Sequence, residues 1–291
     1  MKWYYPILSA PLYLLLVLPL RVLYVLSDLV YFLLFYVAGY RKKVVYSNLK
    51  NAFPGKSKQE LNVIAKKFYR HMVDVVFETL KLATLSKEEL LKRLIFTNYE
   101  VIDRFKARNQ SFVFVLGHMG NWEWTGPSFS QNHPMKLYGL YHPLSNQFFD
   151  WFLYKLRARF GVGLIPMNNL LREMVKLKDE CCAIAFIADQ TPSSENAYWI
   201  SFLNQDTPVF FGTEKIARRF NYPVVYASAS KPARGRYVYT FKVITSEPNN
   251  TQEGFITKEH TRLLEEDIKA TPHIWLWSHR RWKHKRKTKD E

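Results

Sequence analysis

The residues with the clearest capacity for chemistry are His118 and Glu123, which lie five positions apart at the end of an apolar segment. Residues 112–116 are apolar and strand-prone, and they predict a buried strand of the kind found in parallel sheets covered on both faces. Five residues of one helix span about 500°, so the two side chains can meet only if His118 lies in the turn after the strand and Glu123 begins the next helix. A histidine oriented by a carboxylate is a general base. The alternative is a structural role, in which His118 caps a helix and Glu123 lies where the helix dipole favours an acid.

The overall charge and the cysteines narrow the range of partners. The 291 residues include 42 basic and 25 acidic ones, for a formal charge of +17, and 16% are aromatic. Such an excess of basic residues suits an anionic partner, such as nucleic acid, anionic lipid or an acidic carrier protein. The sequence has no RNP-like, KH or helix-turn-helix signature, so we expect no nucleic acid partner. Cys181 and Cys182 are adjacent, which suits neither a disulfide nor a metal site, and we predict no metal and no cofactor.

Residues 1–40 form the most apolar part of the chain and predict a membrane-anchoring segment. About 20 apolar residues span a bilayer core, but three prolines and two charged residues interrupt this stretch. The segment is therefore predicted to be a single tilted span, a kinked helix in the interface or a helical hairpin. Arg41, Lys42 and Lys43 follow at once. Because positive flanks stay on the cytoplasmic side, we place the rest of the chain there.

The remaining sequence divides into three parts. Residues 41–93 predict a helical lead-in, with a capping box at Ser57 and Glu60. Residues 94–278 alternate between predicted strands and helices, which favours an α/β fold with a mostly parallel central sheet flanked by helices. Residues 279–291 form a basic tail.

The C-terminal segment combines tryptophans with basic residues. Trp275, Trp277 and Trp282 lie beside arginines, a combination typical of an anchor at a membrane interface. The basic residues that follow either add to this anchor or form a solvated, disordered tail.

The segment Gly-His-Met-Gly-Asn-Trp-Glu at 117–123 closely resembles the His-x-x-x-x-Glu signature of the lipid A biosynthesis acyltransferase family, within the lysophospholipid acyltransferase-like superfamily. The resemblance extends to about residue 282 through short motifs that match in order and spacing. These motifs are Asn48-Leu49 with Phe53-Pro54, Tyr141-His142-Pro143 with Asn146, Arg157-Ala158-Arg159-Phe160-Gly161, Ala188-Asp189-Gln190 and the closing Trp-x-x-Arg-Arg-Trp. Ala188 replaces a usual proline, and Asn204-Gln205 stands where the family often has Phe-Phe-Gly.

The resemblance implies a membrane-bound acyltransferase of the bacterial inner membrane, with its catalytic domain on the cytoplasmic face. Such an enzyme moves a fatty acyl chain from an acyl thioester, with acyl carrier protein as the expected donor, to a hydroxyl of a lipid A precursor. His118, oriented by Glu123, would remove the hydroxyl proton as the oxygen attacks the thioester. No covalent enzyme intermediate is required, and the acidic carrier suits the charge of +17.

The resemblance also implies roles in substrate binding for other motif residues. Arg157 or Arg159 would stabilise the oxyanion of the tetrahedral intermediate, helped by backbone N–H groups in the turn 117–120. Asp189 and Gln190 would bind polar head groups or brace the arginines.

Two sets of residues could serve either the site or the scaffold. Asn121 would contact substrate, or it would shape the turn and cap the next helix. The aromatic residues at 122, 124, 129 and 148–152 would line a slot for the acyl chain, or they would belong to the ordinary core.

Three alternatives remain open from the sequence. The same chemistry could act on an aminolipid or a lysophospholipid acceptor. The base could activate water, which would give a hydrolase, although an apolar setting should exclude water. The protein could also be a basic, membrane-tethered binding protein without catalysis, in which His118 is structural.

Overall fold

The computed structural model describes residues 3–192 and 197–286. Residues 287–291 of the predicted basic tail lie outside the described residues. The α-helices are α1 (Tyr5–Val17), α2 (Leu20–Phe32), α3 (Lys42–Ala52), α4 (Lys58–Lys81), α5 (Lys87–Arg93), α6 (Tyr99–Ala107), α7 (Trp122–Asn132), α8 (Gln147–Ala158), α9 (Leu170–Lys176), α10 (Gly212–Phe220) and α11 (Phe255–Ala270). The strands are β1 (Leu94–Thr97), β2 (Phe112–Leu116), β3 (Lys136–Tyr141), β4 (Gly163–Pro166), β5 (Cys182–Ile187), β6 (Ala197–Phe202), β7 (Gln205–Phe210), β8 (Val224–Ala233) and β9 (Arg236–Thr245).

Seven strands of the described residues form one sheet in the order β1-β9-β8-β2-β5-β3-β4. Neighbouring strands are parallel except for the β8–β9 pair, which is antiparallel. Strand β2 lies in the middle, and all five of its side chains are buried. The predicted α/β fold with a mostly parallel central sheet is confirmed, and the carboxyl ends of β2 and β5 share one edge of the sheet.

The small hairpin of β6 and β7 lies where the sequence departs from the family pattern. Its two strands are antiparallel, with Phe202 opposite Gln205. Leu203 and Asn204 form the turn between them, and both have left-handed φ values of 50° and 61°. Asparagine tolerates this region, so Asn204 suits the turn.

The apolar N-terminal segment consists of two helices that break at Leu18 and Pro19, which have extended backbone angles. Lys81 donates hydrogen bonds to the carbonyl oxygens of Leu16 and Leu18, at 2.6 and 3.0 Å, and so satisfies groups that the break leaves without helical partners. Helix α2 continues as a π-helical turn over Leu33–Val37. The 18 residues Leu20–Val37 have a mean hydropathy of 1.8, so this segment is long and apolar enough to cross a membrane by length and composition.

The C-terminal tryptophans contradict the predicted interfacial anchor. Trp275 and Trp277 are 3% and 0% exposed, and their rings pack edge to face with centroids 4.6 Å apart. Trp282 is partly buried and donates a hydrogen bond from its indole N–H to Thr207 Oγ1. These side chains belong to the core because the segment after α11 passes back over the sheet edge, where it meets the turn that follows β2.

Candidate active site

His118 forms a hydrogen-bonded pair with Asp189, which follows β5 on the same edge of the sheet. The Nδ1 atom of His118 lies 2.5 Å from Asp189 Oδ1, and the backbone N–H of His118 donates to Oδ2 at 2.8 Å. The turn before His118 allows this close approach, since a Cβ atom on Gly117 would lie 3.2 Å from the carboxylate and 2.6 Å from Leu264. The predicted partner of His118, Glu123, is therefore wrong, and Asp189 orients the ring instead.

Asp189 stays ionised although it is only 6% exposed. Burial alone would raise its pKa, but the charge and hydrogen bonds of His118, together with the indole N–H of Trp275, hold the pKa at about 2. Trp275 donates to Oδ2 at 2.8 Å. When the imidazole is neutral, the ionised carboxylate accepts the Nδ1 proton, and this tautomer leaves a lone pair on Nε2.

The second ring nitrogen of His118 faces Gln190 and a cavity. The amide nitrogen of Gln190 lies 3.3 Å from Nε2. The indole of Trp122 packs edge-on against the imidazole, with ring centroids 5.1 Å apart. His118 is thus held on three sides, and its side chain is 14% exposed towards the cavity.

Glu123 forms a bidentate ion pair with Arg157 rather than a contact with His118. Arg157 donates from Nε to Oε2 at 2.8 Å and from Nη2 to Oε1 at 2.7 Å. Burial opposes the charge of Arg157, but the carboxylate of Glu123 raises its pKa above the ordinary value. Glu123 is the second residue of α7, so its side chain points across to α8, which carries Arg157, instead of back along the turn.

Two of the predicted substrate-binding residues have structural roles. Asn121 is fully buried, caps α7 by accepting from the backbone N–H of Trp124, and donates to Glu78 Oε2 at 2.7 Å. Arg159 donates to the carbonyl oxygens of Leu82 and Leu85 behind the end of α4. Both side chains are committed to the scaffold, which contradicts their assignment to substrate.

The backbone N–H groups of the turn are largely engaged. The N–H of His118 is bonded to Asp189, and that of Gly120 donates to the carbonyl of Ile274 at 3.1 Å. The help that these two N–H groups were expected to give an oxyanion is therefore not available in this arrangement.

A cavity of about 430 Å³ adjoins the His118–Asp189 pair. Its polar end carries His118, Glu123, Arg157 and Gln190. Its other walls are mostly apolar and come from strands β2 to β5 and the helices beside them, including Leu116, Leu137, Leu153, Val162, Leu164 and Ile187. Of the aromatic residues predicted to line a slot, Trp122 does so, whereas Trp124 and Phe129 are fully buried in the core. The arrangement is a histidine–carboxylate pair whose imidazole lines a mostly apolar cavity.

Two features of the site were missed from the sequence. Asp189 was assigned to substrate binding and not to the pair with His118, and Trp275, which donates to Asp189, was not assigned to the site. A signal existed for Asp189, since it directly follows the apolar residues 181–188, and a polar residue at the end of an apolar strand is a candidate for a site in a parallel sheet. Trp275 gave no comparable signal, because its position depends on the path of the chain after α11.

Comparison with known proteins decides the family. Residues 2–284 match the model of a family described as bacterial lipid A biosynthesis acyltransferase. The chain belongs to this family. The resemblance found in the sequence motifs is thereby confirmed, and with it the expectation of an acyltransferase at the level of the family.

Curated relatives of this acyltransferase family member are distant. A lipid A biosynthesis acyltransferase of Haemophilus influenzae is 23% identical over 173 residues, which cover 59% of this chain and 54% of that protein. The lipid A biosynthesis palmitoleoyltransferase of Escherichia coli is 22% identical over 244 residues, or 84% of this chain and 79% of the relative. The lipid A biosynthesis myristoyltransferase of Escherichia coli is 21% identical over 156 residues, or 53% and 48%. The alignments with the first and third relatives thus span about half of each relative's length.

The family motifs occupy definite places in this chain. Asn48 donates hydrogen bonds to the carbonyl oxygens of Trp277 and His279, at 2.9 and 3.0 Å, and so ties α3 to the closing motif. Asp189 and Gln190 act on the two ring nitrogens of His118. The motifs therefore divide into those that build the His118–Asp189 pair and those that hold the surrounding segments together.

Proposed function

We propose that this protein is a membrane-bound acyltransferase that moves a fatty acyl chain from an acyl thioester to a hydroxyl of a lipid A precursor. The observation that carries the proposal is the His118–Asp189 pair, whose second ring nitrogen, Nε2, lies beside Gln190 at the apolar cavity. Such a cavity accepts an acyl chain and excludes water, which favours transfer over hydrolysis. Membership of the lipid A biosynthesis family supports the choice of acceptor over an aminolipid or a lysophospholipid.

In the proposed mechanism, His118 Nε2 removes the proton of the acceptor hydroxyl while the oxygen attacks the thioester carbonyl. Asp189 stabilises the imidazolium that forms. The tetrahedral intermediate then expels the thiolate, which takes the proton from the imidazolium, so that the ring returns to its starting state. Base catalysis of this kind contributes typically about 10²–10⁴-fold in rate.

Arg157 is the proposed donor for the oxyanion. Arg157 donates to Glu123 from Nε and Nη2 and also lines the cavity, so its guanidinium is close to charge that would develop there. Glu123 in turn fixes the guanidinium of Arg157. The role of Glu123 is thus to position a cation for the oxyanion, and not to act as a second base.

The proposed donor is the thioester of acyl carrier protein, and the site of action is the cytoplasmic face of the bacterial inner membrane. The formal charge of +17 suits an acidic carrier and an anionic membrane surface. Helices α1 and α2 expose apolar side chains over much of their length, among them Ile7, Leu14, Val17, Val25 and Leu29. An amphipathic surface of this kind lies in a bilayer.

The test is acyl transfer by the purified protein in detergent, with acyl carrier protein thioester and a lipid A precursor, read by mass spectrometry of the lipid. We expect His118→Ala and Asp189→Asn each to lower kcat about 10³-fold. Their combination should cost little more than either alone, because the two residues act as one unit. Glu123→Gln should lower kcat less, since it weakens only the support of Arg157.

The matched control is Asp103→Asn, which removes a carboxylate that contacts His133 Nε2 at 3.1 Å, outside the residues that line the cavity. This variant should keep full activity. If free fatty acid were the sole product, the protein would be a thioester hydrolase and the proposed acyl transfer would be wrong. Turnover that survives His118→Ala would reject this residue as the base.

A further inference from the structure

A second cavity, of about 340 Å³, lies between α4, the end of β8 and the short 3₁₀ turn Pro272–Ile274. Four cationic side chains line it, those of Lys67, Arg70, Lys231 and Arg234. We call it the basic pocket. Strand β8 pairs with β2 on the side opposite to β5. The basic pocket and the cavity of about 430 Å³ beside His118 therefore lie on either side of the turn 117–120 along the sheet.

The carboxylates of the basic pocket are already shared among other donors. Asp28 accepts hydrogen bonds from both arginines, Arg70 and Arg234. Asp74 accepts from Ser27 at 2.7 Å and from Arg234 at 2.6 and 3.0 Å. Asp28 therefore accepts four hydrogen bonds and Asp74 accepts three, and among the described residues neither lysine of the pocket donates a hydrogen bond to a carboxylate.

Lys231 is the clearest case of a positive charge without a full partner. Its side chain is only 10% exposed, and its Nζ lies 3.0 Å from His71 Nδ1 but 3.9 Å from Asp74 Oδ2. Glu78, the next carboxylate behind it, accepts hydrogen bonds from Tyr24, Tyr237 and Asn121. Four cations thus face at most three carboxylates. A buried ammonium is costly unless it is paired, so an anion in this cavity would complete the site.

The neighbouring histidines report the same positive field. Burial, together with the positive charges of Lys231 and Lys67, lowers the pKa of His273 to about 4. Burial and Lys231 also lower the pKa of His71, so neither imidazole adds a charge that would need an acid. The carbonyl of Ile274, next to His273, holds Gly120 of the turn after β2, which links the pocket to the site.

We propose that the basic pocket binds a phosphate group of the lipid acceptor and so positions the acceptor hydroxyl for His118. This inference rests on the proposed function, because it assigns the pocket to the same substrate. Arginine forks and lysine ammonium groups are the usual ligands of phosphate, and hydrogen bonds to charged groups are strong. The acyl chain enters one cavity, and the head group of the acceptor is held by the other.

The experiment compares a phosphorylated acceptor with the same lipid after removal of its phosphate. The variants are Lys231→Met and Lys67→Gln, with Lys66→Gln as the matched control, since Lys66 lies on the same helix outside the pocket and over the Tyr36 ring. We expect Lys231→Met to raise KM for the phosphorylated lipid about tenfold with little change in kcat. KM for the dephosphorylated lipid and for the thioester should stay as in the wild type. Equal losses on both acceptors, or a wild-type enzyme that treats both lipids alike, would overturn the proposal.

Two further arms separate the outcomes. Inorganic phosphate should compete with the phosphorylated lipid in the wild type and lose this effect in Lys231→Met. If inorganic phosphate binds but the two lipids have the same KM, the pocket is a free-anion site and the proposal is wrong. Binding of phosphatidylcholine vesicles that contain either lipid, measured by calorimetry, needs no turnover. It therefore tests the pocket even if acyl transfer fails, and a tenfold weaker binding of Lys231→Met to the phosphorylated lipid alone would support it.

Discussion

At the residue scale, the contacts that Asp189 makes with His118 and Trp275 also affect how the stability of the protein depends on pH. Its pKa of about 2 lies below the ordinary value of 3.8, because His118 and Trp275 favour the ionised form against the effect of burial. A depressed pKa stabilises the folded state above about pH 4, and this stabilisation is lost as the pH falls towards 2. The carboxylate that pairs with His118 is thus also a group whose protonation at low pH destabilises the folded protein.

We expect the advantage of the wild type over Asp189→Asn in the free energy of unfolding to shrink by about 1 kcal/mol between pH 5 and pH 3. Urea unfolding followed by near-ultraviolet circular dichroism at both pH values gives this difference. The control is Ser128→Ala, whose cost should not depend on pH because the buried Ser128 hydroxyl donates only to the carbonyl oxygen of Leu94, at 2.9 Å, and contacts no ionisable group. An advantage that stays constant or grows as the pH falls would contradict the assigned role of Asp189.

The residues of the site could be found from the sequence, but their pairing could not. His118, Glu123, Arg157 and Asp189 all follow strands or lie on helices that begin after them. Spacing along the chain favoured Glu123 as the partner of His118. The actual partner, Asp189, is 71 residues away and is brought close by the pairing of β2 with β5, which no local pattern specifies.

At the scale of elements, the turn of residues 117–120 depends on Gly120. This residue has a φ of +60°, and a Cβ atom there would lie 3.0 Å from the hydroxyl oxygen of Tyr239. That hydroxyl donates to the carbonyl of Met119 at 2.8 Å, so a shift of Tyr239 would disturb the turn itself. The turn that brings His118 to Asp189 therefore depends on the absence of a side chain at Gly120 and on the hydrogen bond from Tyr239 to Met119.

Gly120→Ala should destabilise the fold by about 1–2 kcal/mol, because a left-handed backbone is costly for a residue with a Cβ. It should also lower kcat, since His118 would move relative to the cavity. Gly55→Ala is the matched control, because it has open space around the position of its Cβ atom and should change stability by less than about 0.5 kcal/mol. Thermal melting and the acyl transfer assay measure the two effects. Equal stability of the two variants would contradict the role of the turn.

Elements with strong local patterns were predictable, and those that depend on tertiary contacts were not. The apolar run of β2 and the capping box of α4 at Ser57 and Glu60 occur as predicted. Strand β1 is only four residues long and takes its place by pairing with β9, about 140 positions later. The segment with Trp275 and Trp277 has the composition of an interfacial anchor, yet it is buried because it closes over the sheet edge.

The buried core of the described residues consists of two hydrophobic clusters, one on each face of the sheet, and the N-terminal helices belong to one of them. Buried residues of α2, α3 and α4 belong to the same hydrophobic cluster as Phe112 and Phe114 of β2. The inner face of α2 is held by polar contacts, with Tyr24 bonded to Glu78 and Ser27 bonded to Asp74. Its outer face is apolar and exposed. One face of α2 thus packs against α4 and the rest of the folded protein. This packing favours a helix that lies in the membrane interface over one that crosses the membrane alone.

This outer face gives a prediction for the whole molecule with a closely matched control. Val25 and Leu29 lie four residues apart on α2 and are 68% and 55% exposed. Leu171 and Val175 have the same spacing on α9 and are 50% and 54% exposed. Replacing either pair by glutamate removes similar apolar area and adds two charges, but only the α2 pair lies on the proposed membrane surface.

We expect the Val25→Glu, Leu29→Glu double variant to bind anionic vesicles at least about tenfold more weakly, because each lost apolar contact is worth about 1.5 kcal/mol or more. The Leu171→Glu, Val175→Glu variant should bind as the wild type does, and both should melt at similar temperatures, since all four side chains are exposed. Vesicle sedimentation measures the binding. With the lipid acceptor in vesicles the α2 variant should lose activity, and with the acceptor in detergent it should recover. Equal weakening by both pairs would mean that charge alone controls binding, and unchanged binding of the α2 variant would move the membrane surface elsewhere on the molecule.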